Sequence, residues 1–161
     1  MSLISRKIIP RDVLKGIVEE KKREGKKIVF TNGCFDILHR GHVEYLEFAK
    51  TLGDLLIIGV NSDESVRRLK GPERPVNTLL DRMYVLAALY MTDYITDFHE
   101  DTPYNLIKEL LPHVLVKAGD YTPDTVVGRD IVESYGGKVV IAPYVNGYST
   151  TAILNKVKKE G

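Results

Sequence analysis

Cysteine occurs once, at Cys34, and tryptophan not at all in this chain of 161 residues. One thiol permits no internal disulfide and no multi-cysteine zinc site. An excess of either charge is also missing, since 23 Lys+Arg against 22 Asp+Glu leave a net charge of +1. That balance removes the simplest electrostatic case for nucleic-acid binding or an acidic interaction tail. Anions must be held by local clusters of base. No apolar run approaches the ~18 residues of a membrane span, and the start MSLISRKIIP has no apolar core of a secretory signal. The expectation is a cytoplasmic protein that touches neither membrane nor nucleic acid. What the chain does have is 43% hydrophobic residues, enough for one substantial core at this length.

Strand and helix patterns alternate along it. Residues 10–24 place Val13, Leu14, Ile17 and Val18 on one helical face, with Pro10 and Asp12 suited to the first turn and Gly25 as a stop. Apolar, β-branched runs bounded by turn residues predict strands at 27–32, 54–61, 94–98, 113–117 and 138–142. Further helices are predicted at 41–51, with Val43, Leu46 and Ala49 inward, and at 62–70, with Ser62 as cap. Others are predicted at 81–90, with Val85, Leu86 and Leu89 inward, and at 103–111, 124–135 and 149–159. GPERPVNT, residues 71–78, holds two prolines and a glycine and reads as a loop. Alternation of this kind predicts an α/β fold: a Rossmann-like parallel five-stranded sheet with helices on both faces. Residues 1–26 are expected to form a helical extension packed on the domain of residues 27–161.

Open parallel sheets bind ligands beyond the carboxyl ends of their strands. The first such junction is TNGCFDILHRGH, residues 31–42. His39 and His42 are three apart, so both rings leave one side of a helical turn. Gly41 between them lets a phosphate approach the backbone, and the helix start offers free N–H groups and partial positive charge. A plain capping role and a zinc role compete for these histidines, but a third ligand and HExxH are absent. Neither GK[ST] nor GxGxxG occurs, which removes the common ATPase loop and the dinucleotide fingerprint.

Arg67, Arg68, Lys70 and Arg74 form the densest basic cluster. For Arg67 and Arg68 a solvated helix face is an equal reading, and nucleic-acid contact through 67–74 would need a broader basic surface. Arg82 begins a helix, where the dipole disfavours a cation unless an anion lies nearby. Ser149, Thr150 and Thr151 open the last helix. Their hydroxyls can cap it, worth about 1 kcal/mol, and hold phosphate beside the same N–H groups, since one can cap while the next binds. Lys117, Gly119 and Asp120 follow a strand at the same sheet edge, as a loop ion pair or as a phosphate contact with a hydroxyl acceptor. His99 and His113 fall outside every motif.

GCFDILHRGH resembles the FDxxHxGH signature of the nucleotidylyltransferase superfamily. GVNSDESVRRLKGPERPVN resembles the stretch of its cytidylyltransferase-like branch that carries a phosphate-binding lysine. DRMYVLAAL resembles that branch's arginine-bearing helix, and VNGYSTTAIL its S-T-T motif. With VLVKAGDY added, residues 27–158 resemble the D-glycero-β-D-manno-heptose 1-phosphate adenylyltransferase family, in its free form rather than fused behind a sugar kinase. That resemblance implies transfer of AMP from ATP to the heptose 1-phosphate, giving ADP-heptose for lipopolysaccharide assembly and releasing pyrophosphate by direct in-line attack. Magnesium (Mg2+) would arrive with ATP, with no protein metal site, and the chain would form a homo-oligomer, a dimer.

The resemblance also implies residue roles. His39 and His42 would donate to the α-phosphate and the leaving oxygen, and Lys70 would join them as the third catalytic group while meeting the sugar phosphate. Gly33, Cys34, Phe35, Gly41, Arg82, Lys117, Gly119, Asp120, Ser149, Thr150 and Thr151 would hold the nucleotide. Backbone at 143–147, with Asn146, would receive the base. Asn32 and Asp36 would lie at the sugar phosphate, Asp36 either shaping the loop or organising metal. Cys34 is expected to be a packed thiol, because direct displacement needs no covalent intermediate. The chain departs from the superfamily at Leu154, where many members carry a base, so that one phosphate contact is either missing or supplied from elsewhere, as by Lys117. A glycerol-3-phosphate cytidylyltransferase-like enzyme and a non-catalytic nucleotide-binding module are the alternatives.

Overall fold

Five parallel strands build the centre of the computed structural model, which describes residues 1–119, 121–143 and 147–160. They are β1 (Ile28–Gly33), β2 (Leu55–Asn61), β3 (Tyr94–Phe98), β4 (Val114–Ala118) and β5 (Lys138–Ala142), in the order β3-β2-β1-β4-β5. Helix α1 (Arg11–Arg23) precedes β1. Parallel neighbours need crossovers, which α2 (Arg40–Lys50), α3 (Asp63–Lys70), α4 (Leu79–Ala87), α5 (Tyr104–Leu110) and α6 (Arg129–Ser134) supply, and α7 (Thr150–Glu160) follows β5.

Alternation within the strands divides the core in two. Val29, Leu56, Ile58 and Val116 face α2 and α4, where Leu46, Ala49, Met83 and Leu86 complete one cluster. Ile28, Phe30, Ile57 and Leu115 face the opposite way, onto Leu14 and Val18 of α1, Leu106 and Ile107 of α5, and Val132 of α6. Both sheet faces are therefore covered, which is why β1 and β2 read as unbroken apolar runs. The α/β fold expected from the alternation of patterns is the one formed.

Some details differ from the sequence reading. Val13 and Val85 are each half exposed, at 50%. On α1 the buried stripe is Leu14 and Val18, and on α4 it is Arg82, Met83, Leu86 and Ala87. A buried arginine on α4 shifts the stripe in a way that hydropathy cannot register. The helix expected over 124–135 is instead a short 3-10 turn, Pro123–Thr125, followed by α6. Gly128 separates them at φ +92°, and a Cβ there would stand 2.6 Å from Ile107 Cδ1.

His113 closes the start of β1: Ile28 N–H donates to its Nδ1 at 2.9 Å, and His113 N–H donates to Ile28 O at 2.9 Å. Burial holds the imidazole below its ordinary pKa, and Lys22 and Lys27 add to the effect. In the unfolded chain a histidine protonates near pH ~6.5, whereas the folded ring resists until lower pH. Its stabilisation is thus complete above that value and lost as pH falls below it. Urea titrations should show a falling midpoint from pH 7.5 to 5, with a shallower fall in His113→Phe; equal slopes would show that this ring does not contribute.

Candidate active site

Chain order reverses between β1 and β4, the switch point at which a parallel sheet leaves a crevice. A cavity of about 640 Å3 opens there, within the range of a small-molecule site. Asn32, Gly33, Cys34, Phe35 and Asp36 reach it from β1 and the following loop. His39, Gly41 and His42 line it from α2, Lys70 and Arg74 from the end of α3 and its loop, and Lys117 and Gly119 from β4. Ser149, Thr150 and Thr151 complete the far side at the start of α7. Asp120 and Asn146 lie outside the described residues.

The loop after β1 is tightly shaped. Phe35 sits at φ +49°, a left-handed conformation uncommon for a residue with a side chain. Its ring lies so close to Gly33 that a Cβ there would be 2.9 Å away. A Cβ on Gly41 would stand 2.9 Å from both His39 Cε1 and Tyr148 Cβ, so this glycine admits the histidine ring as well as any ligand.

His39 is the N-cap of α2, in extended conformation at φ −139°. The two histidines cap each other: His42 N–H donates to His39 Nδ1 at 3.4 Å, and His39 N–H donates to His42 Nδ1 at 3.3 Å. Their rings stack at 3.8 Å between centroids and 19° between planes. An Nδ1 that accepts must carry a lone pair, so both rings are neutral and hold their proton on Nε2. Burial lowers the pKa of His39, and burial followed by repulsion from His39 lowers that of His42 to about 4. The pair thus offers two uncharged Nε2–H donors at neutral pH.

Asp36 resolves its two readings toward shaping the loop. Its carboxylate accepts from Arg74 Nε at 2.7 Å, Val76 N–H at 2.9 Å and Asn77 N–H at 3.0 Å. Burial opposes its ionisation, but the donors of Asn77, Val76 and Arg74 outweigh that and hold the carboxyl below its ordinary range. Its side chain is 0% exposed, and the residue still borders the cavity. It fastens the 71–78 loop to β1.

Arg82 also departs from expectation. It is 2% exposed and does not line the cavity; it lies beneath the floor. Nε donates to Asn77 O at 3.0 Å, Nη1 to Cys34 O at 2.7 Å and to Asn61 O at 2.8 Å, and Nη2 to Asp63 Oδ1 at 2.8 Å. The anion that its position near a helix start called for is the protein's own Asp63. Four of its five donors are spent on the chain, which leaves no fork for a phosphate.

The remaining groups stay open to the cavity. Lys117 Nζ lies 5.3 Å over the ring of Tyr121, and burial lowers its pKa, with Cys34 opposing and nearby Lys70 adding to the shift. Burial raises the Cys34 pKa against the pull of Lys70, Arg82 and Arg74, so at neutral pH it is a thiol rather than a nucleophile. Asn32 Oδ1 is enclosed with no hydrogen-bond partner among the described residues. Ser149 Oγ accepts from Ala152 N–H at 2.9 Å, and Thr150 Oγ1 donates to Ile37 O at 3.1 Å, which ties α7 to the histidine loop. Among the described residues no three His, Cys, Asp or Glu side chains are placed to hold a metal ion.

The cavity has further walls that motif reading did not assign: Asn61, Leu69, Asp101, Thr102, Tyr121 and Tyr148. Only position could have marked Asp101 and Thr102, because they follow the carboxyl end of β3 without any recognisable pattern.

Two outcomes check this geometry. Long-range 1H–15N NMR at pH 7 should show His39 and His42 protonated on Nε2 and bare on Nδ1, with His42 titrating at about 4. A protonated Nδ1 on either ring would break the reciprocal cap. Arg82→Met should lose about 3 kcal/mol in urea unfolding, because three carbonyls and a carboxylate lose their donor. A near-wild-type stability with weakened nucleotide binding would return Arg82 to the ligand.

Comparison with known proteins agrees with the crevice. Residues 30–156 match the cytidylyltransferase-like family. The chain is 58% identical over 151 residues to bifunctional protein HldE of Pelobacter propionicus, covering 94% of this chain and 31% of that protein. To bifunctional protein HldE of Actinobacillus pleuropneumoniae serotype 5b it is 54% identical over 151 residues, covering 94% and 32%. It therefore spans less than a third of the length of these curated relatives. The lipopolysaccharide core biosynthesis protein of Thermoplasma volcanium superposes with a TM-score of 0.66 at 27% identity, over 76% of this chain and 100% of that one. Pantoate-beta-alanine ligase of Francisella tularensis shares the fold alone, with a TM-score of 0.61 at 16% identity over 94% and 77% of the two chains. From the paired histidines at the sheet's switch point to the S-T-T cap of α7, the match runs through the whole crevice, and the chain belongs to the cytidylyltransferase-like family.

Proposed function

We propose that this chain transfers AMP from ATP to D-glycero-β-D-manno-heptose 1-phosphate, releasing pyrophosphate. The observation that carries the reading is the pair of neutral imidazole donors at the switch point, with cations on either side of it. A phosphate oxygen of the sugar phosphate attacks the α-phosphorus of ATP. The bond from that phosphorus to the bridging oxygen breaks, and the bridging oxygen departs with the electron pair on pyrophosphate. Such a displacement needs positioning and charge stabilisation more than covalent chemistry.

The Nε2–H groups of His39 and His42 meet the α-phosphate and the bridging oxygen, and bind more strongly as negative charge builds there. N–H groups at the start of α7, with Ser149 and Thr151, hold the outer phosphates. Lys117 supplies the phosphate contact that Leu154 cannot. Lys70 holds the phosphate of the acceptor. Magnesium belongs to the nucleotide in this reading and supplies neutralisation of the triphosphate, since the Asp36 carboxylate is already committed to Arg74, Val76 and Asn77. The partners are ATP, the sugar 1-phosphate and a second copy of the chain. Leu80, Tyr84 and Val85 of α4 are exposed apolar side chains. The cell compartment is the cytoplasm.

Pyrophosphate release with magnesium, crossing ATP and CTP against the heptose 1-phosphate and glycerol 3-phosphate, tests the proposal. Release is expected only with ATP and the heptose phosphate, and His42→Ala should lower it about 100- to 1,000-fold. Release with CTP and glycerol phosphate would keep the histidine chemistry and sink the substrate. ATP binding without release from any pair would leave a nucleotide-binding module.

A further inference from the structure

The histidines, α7 and Lys117 occupy one part of the cavity, and in the wall across from them only Lys70 has a task so far. Sheet order puts β4 and β5 on one side of β1, and β2 and β3 on the other. In-line displacement requires the attacking and leaving oxygens on opposite sides of the phosphorus. With the outer phosphates at Ser149–Thr151, the acceptor enters from the β2/β3 side. The cavity wall there is Asn61, Leu69, Lys70 and the turn of Asp101 and Thr102.

That turn is exposed, yet three side chains from two other elements pin it. Arg68 donates from Nε to Asp101 Oδ1 at 2.7 Å and from Nη2 to His99 O. Ser65 Oγ donates to Glu100 O at 3.0 Å, and Arg11 Nη1 donates to the Glu100 carboxylate at 2.9 Å. Ordering a solvent-facing turn and long side chains costs entropy, and the result is a fixed position for the groups it presents.

Those groups have a consistent chemistry. Arg68 takes Asp101 Oδ1, and Oδ2 has no partner among the described residues. Thr102 Oγ1 accepts from Tyr104 N–H at 3.4 Å, which leaves its own proton to donate. Asn32 Oδ1 waits on the floor, enclosed and unpartnered. Free acceptors with one donor suit hydroxyl groups. Arg68 offsets the charge of Asp101, so the carboxylate need not repel the phosphate that Lys70 attracts.

We infer that the Asp101–Thr102 turn, positioned by Arg68, determines acceptor specificity by hydrogen-bonding the hydroxyls of a polyhydroxylated sugar phosphate. The inference rests on the transferase reading above. Asp101 and Thr102 touch the acceptor, and Arg68 acts through Asp101.

Steady-state pyrophosphate release by the full chain, with saturating ATP and varied heptose 1-phosphate, tests it, alongside calorimetric ATP affinity without acceptor and thermal unfolding. Asp101→Asn and Thr102→Val should each raise the acceptor KM about tenfold while kcat and ATP affinity stay within about twofold. Arg68→Met should raise the same KM, and Arg68→Lys should recover part of it. An unchanged acceptor KM in Asp101→Asn, with active wild type and matching unfolding temperatures, overturns the inference alone. Weakened ATP affinity in Asp101→Asn or Thr102→Val also overturns it, by moving the turn to the nucleotide. A wild type inactive on the sugar phosphate overturns the transferase reading and the inference together.

Discussion

A single buried guanidinium organises the ground on which this site stands. Arg82 draws together the carbonyls of Cys34 after β1, Asn61 at the end of β2 and Asn77 in the following loop, and it pairs with Asp63 at the start of α3. Backbone carbonyls at the ends of parallel strands have no ladder partner beyond the sheet, and a buried one left unpaired is costly. Arg82 meets that need for two adjacent strands at once. Asp36 does the complementary work from the other side, accepting from the backbone of Val76 and Asn77. One cation and one anion, both inside the protein, thus fix the loops that present Cys34, Phe35 and Lys70 to the cavity.

Charge at the site is arranged around this frame. The two histidines are kept neutral by burial and by each other, so they act as directed dipoles rather than as fixed cations. Two lysines, Lys70 and Lys117, line different walls of the same cavity. A triphosphate entering such a crevice meets attraction from the sides and hydrogen-bond donors at the centre. In the proposed reaction the groups nearest the phosphorus would gain most as charge develops there, which is the condition for accelerating a step rather than merely holding a substrate.

Much of this was legible in the residues. β1 and β2 declared themselves because burial on both faces leaves an unbroken apolar run, and HRGH stood out because two histidines and a glycine crowd one helix start. Local patterns could not reveal Arg82 as structural, because its partner Asp63 lies in a different helix and charge normally reads as surface or ligand contact. The same limit hid the Asp101–Thr102 turn, whose meaning depends on Arg68 one crossover away. Gly128 broke the helix expected over 124–135 for a tertiary reason, its contact with Ile107, which no helical periodicity encodes.

The final helix has a thermodynamic consequence of its own. None of the side chains of α7 is fully buried, and its start is tied down by the Thr150 hydroxyl on Ile37 O. A segment with so little core beneath it unfolds locally at low cost, well below the free energy of global unfolding. Ligand phosphates at its first turn would supply the anchorage that packing does not, and the free energy of ordering α7 would be drawn from nucleotide affinity. Filling the apolar contacts of α7 would therefore tighten the nucleotide's hold and slow the departure of product. A loosely seated helix would, in that sense, be how such a crevice lets go.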